Sequence, residues 1–368
     1  MTAAQSPSRT DRRPKVGVLT FHRCINYGSY WQARCLVEGL TARGLDAVLL
    51  DHRSFRVDRR EWTNAFRPTL PTPSAPEDRP AYRRKVRLFL EAFETTLPMT
   101  APFPLDHPEA AGAFDAVVVG SDEVWNFRHP WYSGEPVFFG EGLGADRLIA
   151  YAASFGSHDA ATGMGEDWAE RLRRFRALSV RDENSRALVG SALGGPPPIT
   201  LDPCLQFAKI AARPATAAGS GEIVVYGHSF PEWFSAAVRA FAREAGAPLI
   251  SIGYRNAWAD EQRIAQGPEA FAQTMAGARA VVTNFFHGCV FSIINRRPFV
   301  AALSGYRANK VQDLLDRLDL SDRLMTADAG AIDYGRGLST PPGAATGQRL
   351  ATLREASENF LDAALADL

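Results

Sequence analysis

Residues 281–292 carry the most informative chemistry in this chain of 368 residues. The pattern predicts a strand, a loop and the start of a helix, with His287 and Gly288 at the corner. Backbone N–H groups at a helix N-terminus bind phosphate or carboxylate, and Gly288 would let such a ligand approach closely. His287 is a candidate proton donor to a leaving phosphate, because an imidazole titrates near neutral pH. A single His beside a Gly is more often structural. Whether this corner belongs to a functional site therefore depends on the residues at the ends of the other strands.

Polar and aromatic residues follow three strand-like runs in the first half of the chain. The candidate site residues there are Asn26 and Tyr27 after the first run, Ser121, Asp122, Glu123 and Trp125 after the second, and Ser154 after the third. Turns and helix caps prefer several of these residue types, so turn chemistry explains each loop by itself. Three such loops favour a ligand site, because doubly wound folds bind ligands at the carboxyl ends of their strands.

Short apolar runs of strand length alternate with helical segments from Lys15 onward, and these elements must hold the candidate residues in place. This alternation predicts an α/β fold of two Rossmann-like, doubly wound domains that face a central cleft. We expect a disordered arm at residues 1–14, an N-terminal domain on the acceptor side at 15–205, and a C-terminal domain on the donor side at 206–345. A closing helix is expected at residues 346–368. Stretches rich in Pro, Gly and Ala at 194–198 and 211–221 indicate the linker.

An Arg- and Pro-rich stretch interrupts the alternation at residues 53–104. Its prolines predict an extended loop at residues 67–80, and an amphipathic helix is expected to follow. The basic residues of that helix are Arg83, Arg84, Lys85 and Arg87. We expect them on a solvated face, an interpretation that we favour over an anion-binding patch.

Composition excludes several classes of protein. The 41 basic and 41 acidic residues balance, so no global positive field favours nucleic acid, and no apolar run is long enough to span a membrane. The four cysteines show no Cys-x-x-Cys spacing, which indicates reduced thiols and neither a disulfide framework nor a metal site. Together with the polar N-terminus, this predicts a cytoplasmic protein.

Taken in order, the motifs resemble those of the polysaccharide pyruvyl transferases, which are similar to two-domain GT-B glycosyltransferases. The resemblance rests on Asn26-Tyr27-Gly28 with Gln32 and Ala33, on residues 120–126, 151–156 and 179–185, on Leu201-Asp202-Pro203, on His287-Gly288 and on Lys310. It implies transfer of a pyruvyl group from phosphoenolpyruvate to hydroxyls of a sugar or glycosylated small-molecule acceptor. The products would be a cyclic ketal and phosphate, with phosphoenolpyruvate as donor substrate and no cofactor.

The resemblance also implies roles for residues on both sides of the cleft. Arg181, Lys310 and the helix that begins at His287 would hold the anionic donor, since guanidinium groups suit phosphate and carboxylate. Asp122 and Glu123 would orient or deprotonate the acceptor hydroxyl. Asp122 could equally cap a helix, and Arg181 could equally form a salt bridge within its own loop.

The chain departs from the family pattern at the His287 corner. Many relatives carry Thr-Asp-Ser-x-His-Gly there, whereas this chain has Asn284 and Phe285, so one charge and one hydroxyl are lost. Asn284 and Gly288 are nevertheless candidate substrate-binding residues. The identity of the acceptor stays open, and so does homo-oligomer formation. Two alternative functions also stay open: a GT-B glycosyltransferase that uses a nucleotide sugar, and a catalytically degenerate member that acts as a binding subunit.

Overall fold

The computed structural model describes residues 12–70, 72–214, 221–303 and 308–368. Most of the predicted N-terminal arm, and residues 215–220 of the predicted linker, lie outside the described residues. The elements of the first half are β1 (Lys15–Leu19), α1 (Tyr27–Ala42), β2 (Asp46–Leu49), β3 (His52–Arg53), α2 (Phe55–Phe66), α3 (Arg79–Thr96), β4 (Phe103–Pro104), β5 (Ala113–Phe114), β6 (Ala116–Val119), β7 (Gly144–Ala145), β8 (Leu148–Ala153), α4 (Glu166–Arg173), β9 (Ala177–Val180) and α5 (Glu183–Leu193).

The second half continues the alternation of strands and helices. Its elements are α6 (Pro203–Gln206), α7 (Ala208–Ala211), β10 (Ile223–Tyr226), α8 (Glu232–Glu244), β11 (Leu249–Ile252), β12 (Glu261–Arg263), α9 (Pro268–Gly277), β13 (Ala280–Thr283), α10 (Phe286–Ile294), β14 (Phe299–Ala302), α11 (Ala308–Arg317), β15 (Leu324–Met325), α12 (Ala331–Ser339) and α13 (Ala344–Leu365). Among the helices in the described ranges, none is long and apolar enough to cross a bilayer.

Two parallel sheets form the framework. The first has the strand order β2-β1-β6-β8-β9, and the second has the order β12-β11-β10-β13-β14-β15. In the first, Val18 of β1 lies opposite Leu49 on one side and Val118 on the other. The central strands are buried along their whole length, which explains why they read as continuous apolar runs. The predicted α/β, GT-B-like fold with two doubly wound sheets is confirmed.

Helix α1 joins the two halves through aromatic residues. Tyr27 stacks on Phe271 of α9 with ring centroids 4.2 Å apart, and the Trp31 indole N–H donates to the carbonyl of Pro268. At the other end of the chain, α13 returns to the first half, where the Leu201 N–H donates to Ser357 Oγ at 2.9 Å. The halves therefore share one hydrophobic cluster, while the predicted domain boundaries stay predictions.

Helices α2 and α3 form the Arg-rich insertion, and one prediction about it is wrong. Arg83, Arg84 and Arg87 are exposed as expected, but Lys85 is buried. Its Nζ donates to the carbonyl of Gly253 at 3.0 Å and lies 4.4 Å from the ring centre of Tyr254. Because α3 packs against the second half, more than one of its faces is covered and the amphipathic pattern does not hold at Lys85.

Candidate active site

A cavity of about 780 Å³ lies between the carboxyl ends of the two sheets. Six of the predicted site residues lie on its wall: Asn26, Asp122, Glu123, Arg181, His287 and Lys310. The first four come from loops of the first sheet, and the last two from α10 and α11 of the second half. These six residues thus bring three cationic or imidazole side chains and two carboxylates, from both halves of the chain, to the cavity wall.

His287 is the second residue of α10, directly after the β13 loop, as the sequence predicted. The N-cap residue of α10, Phe285, has no side chain that can cap the helix, and no side chain among the described residues caps its first N–H groups. Gly288 has a different role from the expected one. A Cβ atom there would lie 2.0 Å from Thr283 Oγ1, so the glycine allows α10 to pack on β13, and it is not among the residues that line the cavity.

Asp202 links His287 to Arg181. Its Oδ2 lies 3.4 Å from His287 Nε2 and accepts a hydrogen bond from Arg181 Nη1 at 3.2 Å. Burial favours the neutral acid, but the charge and hydrogen bond of His287 and the charge of Arg181 lower the pKa of Asp202 to about 2. Asp202 is therefore a buried carboxylate anion that can fix the imidazole and stabilise its protonated form.

Asp202, Cys204 and His287 place three potential metal-ligand atoms within 4.8 Å of one another. The surroundings oppose a cation there, because the guanidinium of Arg181 already contacts Asp202. Burial also raises the pKa of the Cys204 thiol well above its usual range, and a metal ligand must be the thiolate. This cluster is better suited to holding His287 than to binding a metal ion.

Arg181 points into the cavity and pairs with acids outside its own loop. Its Nη2 lies 3.6 Å from Asp122 Oδ1, and its guanidinium lies 4.8 Å from the ring centre of Phe286. Burial disfavours the charge, but Asp122 and Asp202 nevertheless raise the pKa of Arg181. The alternative of a salt bridge within its own loop is not observed, since Asp182 instead caps α5 by accepting from the Ser185 N–H.

Asp122 and Glu123 are both engaged with neighbouring groups. Asp122 accepts from Ser29 Oγ at 2.9 Å and from the Glu123 N–H, and no α-helix begins there for it to cap. Glu123 forms an ion pair with Lys310 and accepts from Asn126 at 2.9 Å. Although burial opposes it, Lys310 lowers the pKa of Glu123 to about 2. Such a weak base is suited to holding Lys310, which differs from the expected role with the acceptor hydroxyl.

Five predicted substrate-binding residues lie in the core behind the cavity wall: Tyr27, Ser121, Trp125, Ser154 and Asn284. Each donates a hydrogen bond within the protein, to Gln266 O, Ala152 O, Phe138 O, Asp182 Oδ2 and His228 O respectively. These bonds fix the loops that carry the wall residues. The polar residue types at the strand ends did locate the site, but several of them support it from behind.

Glu61 of α2 is a cavity residue that the sequence reasoning missed. Its Oε1 accepts from the Ile25 N–H at 2.8 Å, and in the described part of the chain Oε2 has no hydrogen-bond partner. Burial raises the pKa of Glu61 to about 7, despite the Ile25 hydrogen bond and the charge of Lys85. The sequence feature that indicates its burial is its position four residues after Val57, the other buried residue of α2, which places both on one face of the helix.

Aromatic side chains form much of the remaining wall. Phe285, which stands where many relatives have Ser, lies against Tyr226 and Tyr254 with ring-centre distances of 5.0 and 5.5 Å. Trp131 and Phe286 also line the cavity. This wall offers flat apolar surface on which the face of a sugar ring can pack.

Several solved structures are similar to this chain at low sequence identity. No curated protein matches it. The UDP-GlcNAc 2-epimerase of Neisseria meningitidis bound to UDP-GlcNAc is 9% identical with a TM-score of 0.47, covering 94% of this chain and 99% of that one. The E. coli heptosyltransferase WaaC with ADP is 14% identical with a TM-score of 0.42, covering 95% and 99% respectively. AviGT4, a glycosyltransferase involved in avilamycin A biosynthesis, is 15% identical with a TM-score of 0.44, covering 96% and 98%.

The family comparison covers most of the chain. The model of the polysaccharide pyruvyl transferases matches residues 26–304, which run from the cap of α1 to just beyond β14. The matched region contains all the predicted site residues except Lys310. The chain belongs to the polysaccharide pyruvyl transferase family.

Proposed function

We propose that this protein transfers a pyruvyl group from phosphoenolpyruvate to hydroxyls of a sugar or glycosylated small-molecule acceptor. The reaction would form a cyclic ketal and release phosphate. One observation carries the proposal beyond family membership: His287 and Arg181, from opposite halves, both lie within 3.4 Å of the same oxygen of Asp202. An acid and a guanidinium held together on a cavity wall suit a small anionic donor that must be protonated.

Donor binding is assigned to the cations of the wall. Arg181 is buried and its Nε has no hydrogen-bond partner among the described residues, so it retains donor capacity for a carboxylate or phosphate. Lys310, held by Glu123, and the uncapped start of α10 add positive potential. Phosphoenolpyruvate carries both anionic groups that such a frame would bind.

The proton steps follow from the same arrangement. His287 would donate a proton to the methylene carbon of phosphoenolpyruvate, which makes C2 an oxocarbenium-like centre. An acceptor hydroxyl adds to C2 and loses its proton. Phosphate then leaves with the electrons of the C2–O bond, and a second hydroxyl closes the ketal. Of the two hydroxyl protons released, one balances the new methyl group and the other balances the phosphate.

Glu61 is our candidate for the base that accepts the proton of the acceptor hydroxyl. It is a carboxylate on the wall with a free oxygen, and its raised pKa of about 7 makes it a better base than Glu123. Asp202 would act indirectly, by holding the imidazole of His287. The proposed reaction needs no cofactor or metal ion, since the donor carries its own leaving group, and a cytoplasmic location would give access to phosphoenolpyruvate.

The test is to incubate the protein with phosphoenolpyruvate and a panel of glycosides. We expect phosphate release together with a mass gain of one pyruvyl unit less water on an acceptor. His287→Ala should lose this activity, whereas His107→Ala, an exposed histidine away from the cavity, should retain it. Calorimetric binding of nucleotide sugars without binding of phosphoenolpyruvate would contradict the proposal, and so would full activity of His287→Ala.

A further inference from the structure

His129 lies on the wall of the active-site cavity, three residues after Asn126. Its Nδ1 accepts hydrogen bonds from the backbone N–H groups of Tyr132 at 3.2 Å and of Trp131 at 3.4 Å. Because an N–H group can only donate, Nδ1 must carry a lone pair, and the proton of the neutral ring lies on Nε2. These two contacts therefore set the tautomer of the imidazole.

The Nε2–H group of His129 is a donor without a partner: no residue that the structure describes accepts a hydrogen bond from it. The side chain is partly exposed, and since Nδ1 is turned to the backbone, Nε2 is the ring nitrogen available to the cavity. The pKa of His129 is lowered, chiefly by burial, and the charged groups that affect it are Glu123, Asp122 and Lys310. All three line the same cavity. His129 is thus a neutral donor beside the charged groups of the site.

Aromatic rings flank the imidazole and continue the cavity wall. The ring centres of Phe21 and Trp131 lie 4.9 and 5.4 Å from that of His129, and both residues line the cavity. Tyr132 stacks on Phe21 at 4.2 Å and so supports it. An apolar ring surface beside a neutral donor matches a sugar, which has an apolar C–H face and a rim of hydroxyl and ether oxygens.

The segment that carries the imidazole is bonded to α2. The backbone carbonyls of Pro130 and Trp131 accept from Arg60 at 3.0 Å and from Arg56 at 2.7 Å respectively. Glu61, the proposed base, follows Arg60 directly in α2 and lines the same cavity. The aromatic rings and the proposed base are therefore carried by two elements that are held together.

We propose that Phe21, His129 and Trp131 form the subsite for the acceptor sugar, in which His129 Nε2–H donates to a hydroxyl or ring oxygen of that sugar. The proposal rests on the proposed function, because it assigns residues to the acceptor of that reaction. Arg181 and Lys310 suit the anionic donor substrate, whereas a neutral N–H group suits an uncharged oxygen. The cavity volume of about 780 Å³ leaves room for a sugar beside the small donor substrate.

Two substitutions separate the free donor of His129 from its contacts with the backbone. His129→Asn places an amide oxygen near the position of Nδ1, so it keeps an acceptor for the N–H of Tyr132 and has no donor at the position of Nε2. His129→Gln places an amide N–H group near the position of Nε2 and loses the acceptor at Nδ1. The matched control is His107→Asn, at an exposed histidine that does not line the cavity.

The test measures binding of methyl glucoside, methyl galactoside and methyl mannoside by calorimetry, with phosphoenolpyruvate binding as a second readout. We expect His129→Asn to bind the glycosides about 5-fold or more weakly, because one hydrogen bond is lost, and to keep its affinity for phosphoenolpyruvate. His129→Gln should bind the glycosides more tightly than His129→Asn does, although its free energy of unfolding in urea should be lower. His107→Asn should behave as the unmodified protein does.

The reverse order of glycoside affinities, with His129→Gln weaker than His129→Asn, would show that His129 only supports its loop and would overturn the proposal. Equal glycoside binding by all four proteins would also overturn it. So would the absence of binding of all three glycosides to the unmodified protein.

This experiment is independent of pyruvyl transfer. If the protein fails to use phosphoenolpyruvate but His129→Asn loses glycoside affinity, the proposed reaction is wrong and the sugar subsite stands. If pyruvyl transfer occurs but all four proteins bind the glycosides equally, the reaction stands and the subsite is wrong.

Discussion

Gly28 lies against the imidazole of His287, so closely that a Cβ atom at position 28 would fall 2.1 Å from His287 Nδ1. Gly28 is the second residue of α1, and His287 is the second residue of α10. The N-termini of two helices from opposite halves therefore meet at the proposed acid. Asn26 fixes the α1 side of this contact by accepting from the Gly28 N–H at 2.8 Å.

Gly28→Ala should displace the His287 ring without unfolding the chain. The residue has ordinary helical geometry, so alanine suits its backbone and the clash is confined to the imidazole. Misplacing a catalytic group by about 1 Å can cost about 100-fold in rate, and we expect a loss of roughly that size. Steady-state rates of ketal formation measure it. Gly347→Ala in α13, where a Cβ meets nothing within 4 Å, is the control and should leave the rate unchanged. A fully active Gly28→Ala enzyme would show that the ring position is unimportant.

Asp202→Asn should impair both catalysis and stability. It leaves the buried charge of Arg181 without one of its carboxylates and removes the anion beside His287. We expect turnover to fall by roughly 100-fold or more, and the free energy of unfolding to fall by about 3–5 kcal/mol, as for other broken buried ion pairs. Urea denaturation and initial rates give the two values. The control is Asp362→Asn, which removes an exposed partner of Arg43. It should change turnover and the free energy of unfolding only slightly. Equal behaviour of the two variants would contradict the assigned role of Asp202.

Glu61→Gln should change the pH dependence of the reaction. Burial raises the pKa of Glu61 to about 7, so the proposed base is increasingly protonated as pH falls below that value and the rate should fall with it. The charged and titratable groups around it are Lys85, Asp58, Cys24 and Tyr132. We expect the variant to lose this acidic limb and roughly 100-fold or more in rate.

The measurement for Glu61 is kcat/KM between pH 5 and 9, with phosphoenolpyruvate binding as a second readout. Donor affinity should be retained in Glu61→Gln, because Glu61 serves the acceptor. Glu91→Gln, which alters an exposed residue of α3, is the control and should keep the profile of the unmodified enzyme. An acidic limb that survives in Glu61→Gln would assign the titration to another group.

Lys85→Met should alter how stability depends on pH. Burial lowers the pKa of Lys85 from 10.5 to about 7, so between these values the unfolded chain binds a proton that the folded chain has released. The free energy of unfolding therefore contains a contribution that rises with pH from about 7 to 10.5. The variant should lose that contribution. Urea denaturation at several pH values in this window measures it, with the exposed Arg84→Met as control. If the free energy of unfolding rises as steeply with pH in Lys85→Met as in the unmodified protein, Lys85 is not the buried neutral lysine that we describe.

The sequence alone determined the fold class and the edge of the sheets at which the candidate site residues lie. Strand-length apolar runs alternating with helical patterns require parallel sheets, and parallel strands bring their carboxyl ends to one edge. His287, Arg181, Lys310 and Asp122 were identified on that basis and from the family motifs, and all four lie on the cavity wall.

Only the tertiary structure decided which residues contact one another and which are charged. Periodicity indicates that a residue is buried, but it does not name its partner. The contacts of Gly28 with His287, and of Asp202 with both His287 and Arg181, join segments that are far apart in the chain. The pKa values of Glu61 and Lys85 depend on burial against the opposite element, which a helical pattern of basic residues cannot show. The physical reason is that packing of the two halves against each other fixes the distances between these side chains and removes water from around them. Both effects determine which side chains are charged and what they can react with.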